Sequence, residues 1–168
     1  MLHNLLAKMD TLVGFEEASA HCDIPCKIYD PATAQIAALT VIRLVDLLEE
    51  LKSAPADVNT MAKVSRLAKE KEAHGLIVKE EIRVIWGDYF KQPQIEKFPQ
   101  IHELTHNIML AASKAKQEIN RDDAVKLLEL VNQFAEIFWE TKGVATFRAK
   151  CPYLPEEITV YPQLTPEA

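Results

Sequence analysis

DPATAQIAALTVIRLVDLLEEL, residues 30–51, decides the fold. Asp30 can cap a helix with its side-chain oxygen, and Pro31 suits a first helical position because it has no N–H to satisfy. Ile36, Leu39, Ile42, Val45, Leu48 and Leu51 then recur at helical spacing and form one apolar stripe. The run stops near Ser53-Ala54-Pro55. This segment reads as a long amphipathic helix that must bury one face against others.

The same pattern repeats downstream. Asp57 or Asn59 can cap a second helix whose inner face is Val58, Met61, Val64, Leu67 and Ala68. Gly75 is a weak point within it, and Ile77, Val78, Ile82, Ile85, Trp86 and Tyr89 carry it on to about Phe90. Gln92-Pro93 and Phe98-Pro99 predict an extended linker. Leu104, Ile108, Ala111, Ala115 and Ile119 make a third stripe. A fourth starts at Asp122 or Asp123, runs through Val125, Leu128, Val131, Ala135 and Phe138, and ends at Gly143. Four long amphipathic helices with short connections predict an all-α chain, an antiparallel four-helix bundle over 31–142. The tail, 143–168, holds Pro152, Pro155, Pro162 and Pro166 and is expected to be irregular.

Upstream of the first helix, HCDIPCKIYDP (21–31) concentrates chemistry. Two of the three cysteines stand four positions apart with a histidine before the first and a proline between them. Thiol and imidazole at that density suggest a metal-binding arm or hook over 21–30. From the residues alone, half a zinc site, a copper site and a local disulfide all stay open. Cys151, before Pro152, reads as an unrelated thiol.

Composition excludes several classes. The 168 residues suit one domain with a single core. Residues 1–20 carry Lys8 against Asp10, Glu16 and Glu17, so the remainder holds −4 of the net −6. That acidic balance argues against nucleic acid, and no apolar run reaches the length of a membrane span. Three cysteines make no secreted disulfide framework, and a reducing, cytoplasmic compartment suits them better.

With the helices and the arm in view, a family resemblance can be stated. The fixed positions of His21-Cys22-Asp23-x-Pro25-Cys26-x-x-Tyr29-Asp30-Pro31 resemble the nickel hook of nickel superoxide dismutases, each one matched. Trp86-Gly87-Asp88-Tyr89-Phe90-Lys91 with Glu96-Lys97-Phe98-Pro99 is similar to a second family segment, and Ile137-Phe138-Trp139-Glu140-Thr141-Lys142 to its closing helix. The likeness spans about His21 to Lys142. It implies a superoxide dismutase with one nickel ion per subunit, converting superoxide to dioxygen and hydrogen peroxide by Ni(II)/Ni(III) cycling, and assembled as a homohexamer.

The resemblance also implies the ligands: the His21 amine and imidazole, the Cys22 amide nitrogen and thiolate, and the Cys26 thiolate. Amine, amide nitrogen and thiolate then close two fused five-membered chelate rings. Tyr29 and Tyr89 are implied at the mouth of the site, and Lys27 and Lys91 are candidates for drawing in an anionic substrate. A free amine at His21 requires residues 1–20 to be a pro-segment removed by a maturation protease. Ala18-Ser19-Ala20 is a suitable small-residue end, while Lys8, Asp10 and the lack of a basic start argue against a secretory signal. One departure stands out: Ala37 and His74 occupy the places where some members support the axial imidazole with Glu and Arg.

Two other functions compete. The first is a helical metal-binding or interaction module holding zinc or copper at the cysteine pair. The second follows from His102-Glu103-Leu104-Thr105-His106, which satisfies H-E-x-x-H, the helical zinc-protease motif. No histidine follows His106, and only a distant carboxylate such as Glu129 could complete the set. Two exposed histidines on one helix face is the preferred reading.

Overall fold

A computed structural model describes residues 27–164. Among them the chain is mostly helical: α1 (Ala32–Glu50), α2 (Val58–Val84) continuing into a π-helical turn (Ile85–Tyr89), a short α3 (Gln92–Lys97), α4 (Ile101–Gln117) and α5 (Arg121–Thr141). Two strands follow, β1 (Thr146–Lys150) and β2 (Ile158–Pro162). α1 packs on α2 and α5, and α4 packs on α5 and α2, so the four long helices enclose one core. Its largest fully buried side chains include Phe134, Phe138, Ile42, Ile82, Ile85, Ile101 and Ile108. No helix among the described residues is long and apolar enough to cross a membrane.

Caps fix where the helices begin. The Asp30 carboxylate accepts from the Ala32 N–H at 2.8 Å, and α1 starts one residue later than Pro31. Asp57 caps α2 by accepting from the Thr60 N–H at 2.7 Å. Asn120, rather than Asp122 or Asp123, caps α5 through the Asp123 N–H, and the two acids lie in the first turn, where the helix dipole favours them.

Gly75 does not interrupt α2. A Cβ there would lie 2.3 Å from Lys116 Cγ, so glycine permits the close approach of α2 to the end of α4. Beside it, the buried Lys71 ammonium donates to the carbonyls of Ala115, Lys116 and Glu118. These are carbonyls at a helix C-terminus, left without partners by the helix itself.

Three expectations are corrected. Val58, Met61 and Val64, read as the inner face of α2, are exposed, Val58 at 76%. Lys71 sits at the end of α4, so the turns of this 27-residue helix before it run past their neighbour. The stretch after Gln92 is not an extended linker but a helical turn and a half, with Pro93 in its first turn, where a missing N–H is tolerated. The tail is not irregular: β1 and β2 pair antiparallel, Thr146 opposite Pro162 through Lys150 opposite Ile158. Pro152 and Pro155 fall in the connection and Pro162 at a strand end, so none removes a hydrogen bond from the middle of the ladder.

A buried amide pair docks this hairpin. Asn132 Nδ2 donates to the Ile158 carbonyl at 2.9 Å and its Oδ1 accepts from the Val160 N–H at 3.2 Å. The side chain thus meets β2 as a neighbouring strand would. Gln35 Nε2 donates to both Asn132 Oδ1 and the Val160 carbonyl, tying α1 to the same point. Outside, Arg148 bridges Glu129 and Glu136 of α5.

Two predictions test these anchors. Lys71→Met leaves three carbonyls without their donor and should cost about 1–3 kcal/mol, read as a melting temperature lower by several degrees. Hydrogen bonding from Arg148 holds the Glu129 carboxyl below its usual value of 4.5. Its contribution is therefore present above that value and lost as pH falls through the lower folded value. Hydrogen exchange of β1 and β2 amides should accelerate in that acid window, and Arg148→Gln should remove the acid dependence.

Candidate metal centre

The expected ligands His21, Cys22 and Cys26, and the expected pro-segment 1–20, lie outside the described residues. The approach to them is described. Lys27 has a positive φ of 60°, Lys27 and Ile28 are exposed, and Tyr29 is the first of the described side chains packed against the core. Pro31 is buried immediately behind it.

Tyr29 meets the second expected residue directly. Its ring centroid is 5.8 Å from that of Tyr89, with the planes tilted by 49°. Tyr89 ends the π-helical turn, whose extra residue per turn changes the direction of the side chains that follow α2. Around it stand Phe138, with centroids 4.9 Å apart, and Phe90, edge-on at 5.3 Å. The structure therefore brings together two tyrosines 60 residues apart in sequence, one of them three residues after Cys26.

Two neighbours of Tyr89 were not foreseen from the sequence. Its hydroxyl lies 2.6 Å from Thr141 Oγ1, and the Lys142 ammonium sits 4.3 Å from its ring centroid. Both residues end α5. There the Val144 N–H reaches the Trp139 carbonyl and the Gly143 N–H reaches that of Glu140, with Gly143 at φ 71°. That is a Schellman cap, which needs glycine because a Cβ is strained at positive φ. A Gly after a polar Thr-Lys pair signals such a cap in sequence, but not what its side chains touch.

Of the cations expected to attract an anion, Lys91 donates to the Gly87 carbonyl at 3.0 Å, and Lys27 is exposed at the start of the described chain. Ala37 is buried, and its methyl side chain can form no hydrogen bond. His74 is half-buried on α2, and its Nδ1 donates to the Glu70 carbonyl one turn back at 2.9 Å. Cys151 is buried in the hairpin connection, its thiol 3.1 Å from the Tyr153 carbonyl.

His102 and His106 are both exposed on α4. His102 Nδ1 accepts from the Trp86 indole N–H at 3.0 Å, which commits one ring nitrogen of the H-E-x-x-H motif. Among the described residues no three His, Cys, Asp or Glu side chains come together as a metal site.

Comparison with known proteins accounts for the hook and the helices together. The family model described as nickel-containing superoxide dismutase matches residues 16–142. A Superoxide dismutase [Ni] of Streptomyces coelicolor is 36% identical over 124 residues, 74% of this chain and 89% of the relative. That of Streptomyces seoulensis is 36% identical over 126 residues, 75% and 91% respectively. A 1.30 Å native structure of nickel superoxide dismutase superposes with a TM-score of 0.63 at 36% identity, covering 73% of this chain and 99% of that one. By its hook motif, its helices and these matches, the chain belongs to the nickel-containing superoxide dismutase family.

Proposed function

We propose that His21, Cys22 and Cys26 hold the nickel of this enzyme, and that cleavage before His21 creates the binding site. Family membership makes the chain an oxidoreductase with nickel as cofactor and superoxide as substrate. The observation that carries the assignment of the ligands is the matched hook motif, with Tyr29 leading from it straight to Tyr89. In this reading residues 1–20 are a pro-segment, 21–30 the hook, 31–142 an antiparallel four-helix bundle, and 143–168 a tail that adds the hairpin.

The donor set suits nickel. Two thiolates, an amide nitrogen, an amine and an imidazole are strong donors of the kind that favour Ni or Cu over tetrahedral zinc. When bound, nickel supplies a one-electron couple between Ni(II) and Ni(III), which thiolate and amide donors bring within reach of superoxide. The net reaction takes two superoxide ions and two protons to one dioxygen and one hydrogen peroxide. The chain's part is to orient those donors, wall the mouth with Tyr29 and Tyr89, and admit a small anion past Lys27 and Lys91. It must also keep both thiolates from climbing their own oxidation ladder.

An arm of ten residues is too short to bury a redox metal alone. Covering it calls for neighbouring subunits, consistent with the homohexamer that the family resemblance implies. A dedicated maturation protease and a cytoplasmic location complete the reading, the latter supported by three cysteines that form no secreted framework.

Two experiments test it. Cys22→Ser or Cys26→Ser should abolish nickel binding and activity, while Cys151→Ser, at a thiol buried in the hairpin connection, should leave both nearly intact. Loss of nickel in Cys151→Ser would overturn the hook assignment. The second concerns the amine. With residues 1–20 attached, the residue 21 nitrogen is an amide without a lone pair to donate, so the full-length chain should fold but take up little nickel and show little activity. The chain beginning at His21 should be active, and one extra Ala before His21 should largely abolish that activity. Full activity in the extended form refutes the free-amine site.

A further inference from the structure

The end of α5 sets the state of the second mouth tyrosine. Thr141 Oγ1 lies 2.6 Å from the Phe138 carbonyl and 2.6 Å from the Tyr89 hydroxyl. A carbonyl oxygen only accepts, so the single Thr141 hydroxyl proton goes to Phe138. The short contact with Tyr89 then requires the phenol to donate, with Thr141 Oγ1 accepting through a lone pair. The Tyr89 proton is thereby directed toward the helix end, and its oxygen keeps only accepting capacity for anything else that approaches. On the ring face, the Lys142 ammonium at 4.3 Å is within cation–π range. Among the described residues it forms no ion pair. Phe138 and Phe90 close the remaining sides of the ring.

We propose that Thr141 and Lys142 are positioning residues of the mouth: they lock Tyr89 as a fixed wall whose hydroxyl accepts but does not donate toward the substrate side. An oxygen presenting only lone pairs disfavours an anion beside it, so superoxide is turned away from Tyr89, whose ring lies 5.8 Å from that of Tyr29. This rests on the reading of Tyr29 and Tyr89 as the mouth of the nickel site, and the test separates the two claims.

The test is a double-mutant cycle on the chain beginning at His21, using Thr141→Val, Thr141→Ser and Tyr89→Phe. Thr141→Val removes the acceptor at nearly constant volume, and Thr141→Ser keeps it. The first readout needs no metal: the ring resonances of Tyr89 in nickel-free protein, labelled with carbon-13 tyrosine. They should shift in Thr141→Val, return to their original position in Thr141→Ser, and move in Lys142→Gln as the cation leaves the ring face. The second is turnover of the nickel-loaded enzyme, with nickel content measured alongside. Thr141→Val frees the Tyr89 hydroxyl to donate to the anion and hold it unproductively, so it should lower kcat and KM for superoxide together by several-fold, Thr141→Ser should restore both, and Thr141→Val should add nothing in the Tyr89→Phe background. Unmoved Tyr89 resonances in Thr141→Val, or kinetic effects that simply multiply in the double variant, overturn the proposal. If Tyr89→Phe leaves turnover unchanged while the resonances still respond to Thr141, the lock exists but Tyr89 is not part of the mouth, and the underlying reading fails instead.

Discussion

Burial of the apolar face of α5 is the constraint on which the rest depends. Leu127, Val131, Phe134 and Phe138 are all fully buried on it, and α1, α4 and both strands pack around that helix. Each large apolar side chain taken out of water is worth about 1.5–3 kcal/mol, and α1 meets this face with a run of its own, Leu39, Val41, Ile42, Val45 and Leu48. The aromatic pairs extend this burial to the site: Phe134 meets Phe90 at 5.6 Å, and Phe138 meets Tyr89 at 4.9 Å. A helix that exists to close the core therefore also fixes where Tyr89, and through it Tyr29, can stand. Fold and site share one set of contacts.

Much of this was legible in the sequence because helix burial is periodic. The stripes through Ile42, Val45 and Leu48, through Val78 and Ile82, through Leu104 and Ile108, and through Leu128, Val131 and Phe138 are buried as read, whereas Ile36, Ile77 and Ile119 of the same stripes are exposed. Periodicity failed where burial depends on a partner's length. Val58 and Met61 keep the helical spacing but lie beyond the end of α4. It also failed in the tail, where prolines argued for irregularity. The strands there are short and are held by Gln35 and Asn132, 125 and 28 residues from Val160 in sequence. The hook is read from motif and spacing alone, since ligand chemistry is local, and His21, Cys22 and Cys26 lie outside the described residues. The contact of Tyr89 with Thr141, 52 residues apart, has no local signature.

The hairpin sets this chain apart from the part of it that its relatives explain. The family match ends at Lys142, the residue that follows the last turn of α5, and everything in β1 and β2 comes after it. Asn132 and Gln35 both belong to the matched region, yet their side chains serve the added strands. A buried polar group without a partner is costly, so those two residues and the tail are mutually dependent: neither is comfortable without the other.

Tyr29 has one more consequence, which follows from covalent geometry. Among the described residues it is the first side chain seated on the core, an anchor from which the reach of the preceding chain can be bounded. Consecutive Cα atoms are 3.8 Å apart, and an extended chain spans at most about 3.6 Å per residue. Cys26 therefore stays within about 11 Å of the anchor and His21 within about 29 Å, whatever path the arm takes. Any surface that shelters the Cys26 thiol therefore has to come within that short reach of the N-terminal end of α1.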